Sequence, residues 1–379
     1  MRAIVLGSGR MGRAAAWDLA RREGVETVAL ADREPAALAL ARAELGRART
    51  RVETHPVNLE DELKLDAVLE GFDVALSAAD YRYNEGLTRA AIRTGVHLCD
   101  LGGNPAVVAR QLALSPEAER AGVTVVPDCG LAPGLACWLA AWGVERLGQV
   151  HAVHIRVGGL PAHPKPPLNY KIVFSVRGLT NEYIEPALVL RDGKLLEVPS
   201  LTEPEPIEFA APFGRLEAFH TAGGLSTLVN TLRGKVRHLD YKTIRYPGHC
   251  AAFQAMAKVG FFSEEQVGGV VPRELTERLL ERALTDGDTD VVLVRVEIQP
   301  DSESSRRLVF EVVDHHDAET GHSAMARTTA YPVAVVAHCL GSGVIKRHGV
   351  LPAETCFPLA DLVQAVRERG IDIRESWKD

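Results

Sequence analysis

The sequence predicts an α/β protein: a doubly wound parallel sheet, then a second α+β domain with a mixed or antiparallel sheet. Three observations carry this. A glycine-rich turn joins an apolar run to an Ala-rich helical run at the amino terminus. Short apolar runs and helical runs then alternate regularly to about Pro127. Beyond an apolar helical run, Leu135 to Leu147, the alternation stops and strand-like runs, several with period-two patterning, take over.

Arg2 to Leu6 reads as a buried strand that runs into Gly7-Ser8-Gly9-Arg10-Met11-Gly12 and a helix to about Arg22. Each glycine has its own reason: Gly7 permits the tight turn, Gly9 lets backbone approach a pyrophosphate, and Gly12 allows close helix-strand packing. The pyrophosphate would rest on the positive end of the helix, beside Arg10 and Met11. A second strand, Thr27 to Ala31, ends in Asp32, placed about 20 residues beyond the third glycine, where a ribose-binding carboxylate is expected. Asp32 accepts from a 2′-hydroxyl and repels a 2′-phosphate, so NAD is favoured over NADP, although Arg33 could clasp that phosphate. The unit is thus a Rossmann-type nucleotide-binding half-sheet.

The alternation continues with helix Ala36 to Leu45, strand Arg51 to Thr54, and helix Asn58 to Leu69 with Asn58 as its cap. Strand Asp73 to Ala78, helix Asn84 to Thr94, strand Val96 to Asp100, helix Pro105 to Arg120 and strand Val123 to Pro127 follow. Ligands gather beyond the carboxyl ends of such strands, which makes Ala78, Ala79 and Asp80 candidate cofactor contacts and Asp100, Asp128 and Cys129 further candidates. An Asp there is equally suited to capping a turn or a helix.

The boundary is expected at the turn-rich bridge Asp128-Cys129-Gly130-Leu131-Ala132-Pro133-Gly134, giving a first domain of residues 1–128 and a second of 129–328. Runs at His151 to Gly158, Tyr170 to Val176, Leu188 to Val198, Val291 to Ile298 and Leu308 to Asp314 read as strands, with an Asp192-Gly193 hairpin turn. A helix over Glu264 to Leu284 is expected to break at Pro272. The tail is helical again over Thr329 to Leu340 and Leu359 to Arg369, and residues 329–379 are expected to complete the first domain.

The 43 basic and 50 acidic residues are scattered, with no basic block to hold a phosphate backbone, which argues against nucleic acid. No apolar run reaches the roughly 18 residues of a membrane span, and a cytoplasmic protein is expected. The six cysteines show neither C-x-x-C nor Cys/His metal spacing, so free thiols and no metal are expected. A homo-oligomer, most simply a dimer through the second sheet, is expected on general grounds.

Between Tyr170 and His249 lie phrases that a packed core would not demand: Tyr170-Lys171, Glu182-Tyr183, His220-Thr221-Ala222-Gly223-Gly224 and Lys242-Thr243-Ile244-Arg245-Tyr246-Pro247-Gly248-His249. With the glycine turn and the Gly130-Leu131-Ala132-Pro133-Gly134 bridge, they resemble the saccharopine dehydrogenase-like family, and KTIRYPGH resembles its lysine 6-dehydrogenase branch. In the saccharopine-forming branch the residue after the Gly-Leu pair is typically acidic, and here it is Ala132. The resemblance implies NAD-dependent oxidative deamination of the ε-amine of L-lysine to a semialdehyde that cyclises to piperideine-6-carboxylate, with release of ammonium.

A lysine ε-amine, with an ordinary pKa of about 10.4, must lose a proton before hydride can leave its carbon. His220, His249, Asp100 and Asp128 are candidate proton acceptors, His249 first among them. Arg245 suits the α-carboxylate, since its planar fork makes paired, charge-assisted bonds. Tyr170 could supply a hydroxyl, Thr221 could line the pocket beside His220, and Cys129 reads as lining rather than nucleophile. Two alternatives stay open: a saccharopine-type or carboxyspermidine-type reductase, which needs a second carboxylate site, and a non-catalytic NAD(H)-binding regulator.

Overall fold

The computed structural model describes residues 1–46, 49–285, 287–301 and 306–378, so the last residue of the expected 329–379 segment lies outside it. The chain divides into two compact units, Met1–Trp138 with Ala326–Ile371, and Leu139–Met325 with Asp372–Asp379.

The first unit is built on β1 (Arg2–Leu6), β2 (Thr27–Asp32), β3 (Arg51–Pro56), β4 (Val74–Ser77), β5 (His97–Asp100) and β6 (Thr124–Val126). With the short strand Gly349–Val350 at the edge, the order is Gly349–Val350, β6, β5, β4, β1, β2, β3, and every pairing is parallel. A parallel sheet is covered on both faces, which is why β1 and β2 are apolar runs without alternation and are buried almost throughout. Strand order reverses between β1 and β4, and the crevice beyond their carboxyl ends is the ligand position of this architecture.

Two helix expectations in this unit shift. The third helix starts at Glu62 with Asp61 as its cap, its carboxylate accepting from Lys64 N at 3.3 Å, while Asn58 instead closes a turn onto Glu60 N. The run from Pro105 to Arg120 splits into Pro105–Ala113 and Ser115–Ala121, because Pro116 has no N–H to continue the ladder.

The second unit is a mixed sheet of β7 (Val150–Pro161), β8 (Ala187–Arg191), β9 (Lys194–Val198), β10 (Glu205–Phe209), β11 (Gly214–His220), β12 (Val236–Arg245), β13 (Asp290–Pro300) and β14 (Arg307–His315). The order is β10, β11, β12, β7, β13, β14 and then Ile373–Lys378, with the β8-β9 hairpin attached to β12. Among the described strands of this sheet, only β7 and β12 pair in parallel. The hairpin turn is the expected one, with Asp192 and Gly193 both left-handed (φ 49° and 74°). Ile373–Lys378 pairs with β14, so the final residues belong to this sheet and not to the dinucleotide sheet.

The structure departs from the sequence expectation where the side chains matter most. Residues 170–175 form no strand. They lead into the helix Val176–Ile184, started by Ser175, whose hydroxyl accepts from Gly178 N at 3.0 Å. The helix expected from Glu264 begins only at Pro272, since a Val267–Val270 turn with left-handed Gly268 and Gly269 precedes it. His249 is the first residue of a helix, His249–Val259. Left-handed Gly248 (φ 92°) reverses the chain, and the Glu217 carboxylate caps the helix by accepting from Gly248 N (3.1 Å) and Cys250 N (2.7 Å).

Candidate active site

The glycine turn after β1 has the geometry its sequence demands. Gly7 is left-handed (φ 98°) and donates to Ala31 O at 2.8 Å, which ties the turn to the end of β2. A Cβ on Gly12 would stand 1.9 Å from Gly7 O, so only glycine lets the helix Arg10–Leu19 approach this closely. A Cβ on Gly9 would meet no protein atom within 4 Å, so the space over the helix N-terminus is open to a ligand. Gly7, Gly9, Asp32, Arg33, Ala78, Ala79 and Asp80 line one cleft of about 240 Å³. Arg10 and Met11 continue from Gly9 as the first helical residues, Arg10 exposed. The Asp32 carboxylate is fixed at the cleft by Ser8 N (2.6 Å) and Glu34 N (2.9 Å), while the Arg33 side chain is mostly in solvent. An open cradle over backbone amides, with an anchored acid at its side, fits a dinucleotide.

In the second unit, pleating sorts the candidates. Glu217, Phe219, Thr243 and Arg245 share one face of the β11-β12 pair, while Ala218, His220, Lys242 and Ile244 point to the other. His220 is therefore not beside Arg245. Its Nε2 meets Glu203 Oε2 at 3.1 Å and its Nδ1 meets Tyr241 O at 3.3 Å, so it anchors a strand to a loop. Thr221 returns to the Arg245 side, its hydroxyl 2.8 Å from that of Thr243.

On the Arg245 face a connected set forms. Arg245 Nε donates to the Tyr183 hydroxyl oxygen at 3.0 Å, and that hydroxyl lies 2.9 Å from His249 Nε2. His249 Nδ1 lies 3.1 Å from Leu168 O. A carbonyl can only accept, so Nδ1 carries the ring hydrogen, Nε2 accepts, and the Tyr183 O–H points at the imidazole. Both nitrogens are thus occupied. Burial, reinforced by the Arg245 charge, pushes the imidazole down to about 3. His249 is a neutral structural link rather than a free base. Phe253 stacks beneath it (centroids 4.5 Å apart), and burying that ring contributes roughly 1.5–3 kcal/mol.

Arg245 is 3% exposed, yet no carboxylate lies within 4.0 Å of it among the described residues. Its register partner Glu217 is spent on the helix cap. Its remaining charge-assisted bond goes from Nη1 to Ile244 O at 2.9 Å, and its second amino nitrogen has no acceptor there. The guanidinium lies over the Tyr170 ring at 4.7 Å. The Tyr170 hydroxyl is buried without a hydrogen-bond partner, and burial pushes it up to about 12. Glu182, beside Tyr183 on the helix Val176–Ile184, completes the set. The residue is half-buried, its carboxyl makes no hydrogen bond or ion pair among the described residues, and desolvation by the surrounding protein raises it to about 7 against the pull of Arg245. A buried cation without a carboxylate, a partly exposed carboxyl without a partner and an orphan hydroxyl are the polar groups of this set left unmatched within the protein. Glu182 and Tyr183 were legible only as an odd phrase, because the strand expected from the sequence ends at Val176 and no element is assigned to the residues that follow it, where the helix Val176–Ile184 lies.

The remaining candidates lie in the first unit. The Asp100 carboxylate is buried and taken by Gly102 N (2.7 Å), Gln111 Nε2 (2.8 Å) and Asp128 N (3.3 Å), and burial raises its pKa. The Cys129 thiol is buried and bonded to Val126 O and Pro127 O, and burial raises it too, which is the state of an inert thiol. All six cysteines are free. Among the described residues no group of His, Cys, Asp and Glu could hold a metal ion, and no helix is long and apolar enough to cross a membrane.

The depressed His249 makes a prediction. Its folded state stays neutral down to about 3, whereas the unfolded ring takes a proton near its ordinary 6.5, so its contribution is present above 6.5 and is lost as pH falls towards 3. In His249→Gln, melting temperature is expected to fall less steeply than in wild type between pH 6.5 and 4; equal slopes would show that the ring is not held neutral.

The family model of the saccharopine dehydrogenase C-terminal domain matches residues 130–371, and that of the saccharopine dehydrogenase NADP binding domain matches residues 3–126. The chain belongs to the saccharopine dehydrogenase family. Among its relatives, the mitochondrial alpha-aminoadipic semialdehyde synthase of Mus musculus is 27% identical over 239 residues, covering 58% of this chain and 24% of that one. The L-glutamate-forming, NADP(+) saccharopine dehydrogenase of Saccharomyces cerevisiae is 30% identical over 150 residues, covering 38% and 33%. The chain thus spans only about a quarter to a third of the length of these relatives. Among solved structures, apo saccharopine dehydrogenase (L-Glu forming) from Saccharomyces cerevisiae superposes with a TM-score of 0.77 at 21% identity over 100% of both chains. Homospermidine synthase from Legionella pneumophila in complex with NAD superposes with a TM-score of 0.72 at 11% identity, covering 100% of this chain and 91% of that one. At these identities both show the shared fold of the family, a parallel dinucleotide sheet with a second mixed sheet.

Proposed function

We propose that this member of the saccharopine dehydrogenase family is an oxidoreductase that deaminates the ε-amine of L-lysine with NAD, giving the 6-semialdehyde and ammonium. The observation that carries the reading is the lone buried guanidinium of Arg245. Saccharopine, with a glutamate joined to lysine, brings further carboxylates that need their own cations. The other deeply buried arginines of the second unit are already matched: Arg156 to Glu205 (2.6 Å) and Asp240 (2.7 Å), Arg273 to Glu277 (2.9 Å) and Glu264 (3.0 Å). Among the described residues, Arg245 is therefore the deeply buried arginine of this unit with no carboxylate partner, a cation for the α-carboxylate of lysine. Ala132 in the bridge, where the saccharopine-forming branch typically has an acid, points the same way.

A bound nicotinamide dinucleotide supplies the hydride acceptor. The chain's own residues do the rest: the first unit holds the dinucleotide over the open Gly9 amides, and Arg245 orients the amino acid in the second. Asp32 supports NAD, because its anchored carboxylate would face a 2′-phosphate with like charge. The competing reading is saccharopine oxidation with NADP, which the names of the relatives favour.

The experiment is NADH or NADPH formation by the purified protein with L-lysine, saccharopine, ornithine and polyamines. Turnover with lysine and NAD is expected to exceed that with saccharopine. Faster turnover of saccharopine, or a clear preference for NADP, would overturn the reading, and tight NADH binding without any turnover would favour a regulator.

A further inference from the structure

The ε-amine of lysine reaches the site as an ammonium, and hydride can leave its carbon only once the nitrogen lone pair is free. Some group touching that nitrogen must therefore hold a proton. The set around Arg245 has few candidates. Arg245 has no basic form at working pH. His249 has one nitrogen bearing hydrogen towards Leu168 O and the other filled by Tyr183. The Tyr183 oxygen is in turn held by Arg245 Nε. The Tyr170 hydroxyl is a donor pushed up to about 12, unsuited to take a proton near neutrality. Of these described groups, Glu182 is the carboxylate that offers unengaged lone pairs, in a half-buried position. It feels the Arg245 charge but forms no ion pair with it, so the carboxylate is not spent on that cation. A molecule with a carboxylate at one end and an amine at the other would give both groups the partner they lack.

Resting on the lysine reading, we propose that the Glu182 carboxylate touches the ε-nitrogen of the bound amino acid and is the proton acceptor of the reaction. The ammonium gives one proton to Glu182. The Cε–H electron pair then leaves as hydride to NAD while the nitrogen lone pair forms the C=N bond. Water adds at Cε, and the C–N bond breaks with its electrons going to nitrogen. Lysine, NAD+ and water thus become semialdehyde, NADH, ammonium and one proton. The Tyr170 hydroxyl, otherwise unpartnered, gains an acceptor or donor on the same nitrogen or on the water. Burial holds the Glu182 carboxyl at about 7, a value suited to giving and taking a proton near neutral pH.

The test compares wild type, Glu182→Gln and Glu182→Asp. In Glu182→Gln, kcat with lysine is expected to fall by about 10²- to 10⁴-fold, the usual share of a general base. The rise of kcat/KM with pH near 7 should vanish in that variant and return in Glu182→Asp at lower kcat. A second readout needs no turnover. The folded carboxyl titrates near 7 and the unfolded one near its ordinary 4.5, so the folded state binds more protons between these values, and its stability falls as pH rises through them. Glu182→Gln should therefore melt higher than wild type at pH 8, by a gap that closes as pH falls below about 4.5. Arg245, Tyr170 and Tyr183 face the carboxyl in both proteins and do not change their charge in this range.

Wild type that makes NADH from lysine, with a Gln variant that keeps kcat within threefold and keeps the rise near 7, overturns the role of Glu182 alone. A Gln variant that only raises KM assigns Glu182 to holding the α-ammonium and likewise overturns it. Wild type that makes no NADH from lysine overturns the lysine reading itself, and this role with it.

Discussion

Arg245→Ala is expected to lower kcat/KM for lysine by about 30- to 5,000-fold, the 2–5 kcal/mol typical of truncating one partner of a buried, hydrogen-bonded charge pair. Dinucleotide binding, followed by NADH fluorescence, should stay within about twofold, because the cradle lies wholly in the other unit. The loss has two sources that a second variant separates. Arg245 presents its fork to the ligand, and it also holds the Tyr183 hydroxyl that fixes the His249 tautomer. Arg245→Lys keeps the charge but loses the planar fork and the Nε–H, so it should recover only part of the affinity. If the α-carboxylate is held equally in the ground and transition states, the effect falls on KM and leaves kcat nearly intact. A fall below threefold in the alanine variant would remove Arg245 from the substrate site.

The first unit was legible in the sequence almost element by element, and the second was not. In a parallel sheet each strand is buried on both faces, so β1, β2 and β4 announce themselves as apolar runs between helical runs. The second sheet mixes its faces. Arg245 and His249 were visible as chemistry in KTIRYPGH, but not the ten-residue strand Val236–Arg245 that aligns Arg245 with Glu217 and turns His220 away. Only the register of two strands distant in sequence decides that parity. Likewise, Tyr170 and Glu182-Tyr183 stood out as unusual residues, yet the alternating pattern near Tyr170 suggested a strand. The structure uses Tyr170 and Ile172 to pack one aromatic cluster with Leu179 and Tyr183 from the following helix. The i, i+4 spacing of Leu179 and Tyr183 was the signal that could have found that helix, and with it Glu182.

The glycine turn yields the other large effect, because two of its glycines are needed for opposite reasons. Gly12→Ala places a methyl 1.9 Å from the Gly7 carbonyl oxygen, a backbone atom that cannot swing aside, so the helix must back away from β1. Overpacking of this kind costs about 1–3 kcal/mol, a drop in Tm of roughly 2–10 °C, and dinucleotide binding should be lost along with it. Gly9→Ala meets no protein atom, and Gly9 has an ordinary φ of −65°, so its Tm cost is limited to the weaker helix cap, under about 1 kcal/mol. Its methyl instead occupies the space through which a pyrophosphate reaches the helix amides. NADH affinity is therefore expected to fall by about tenfold or more in a protein that melts nearly like wild type. Calorimetry beside fluorescence titration reads both quantities. Should Gly9→Ala bind NADH as wild type does, the dinucleotide does not lie over this helix, and the assignment of the cradle fails even though the fold stands.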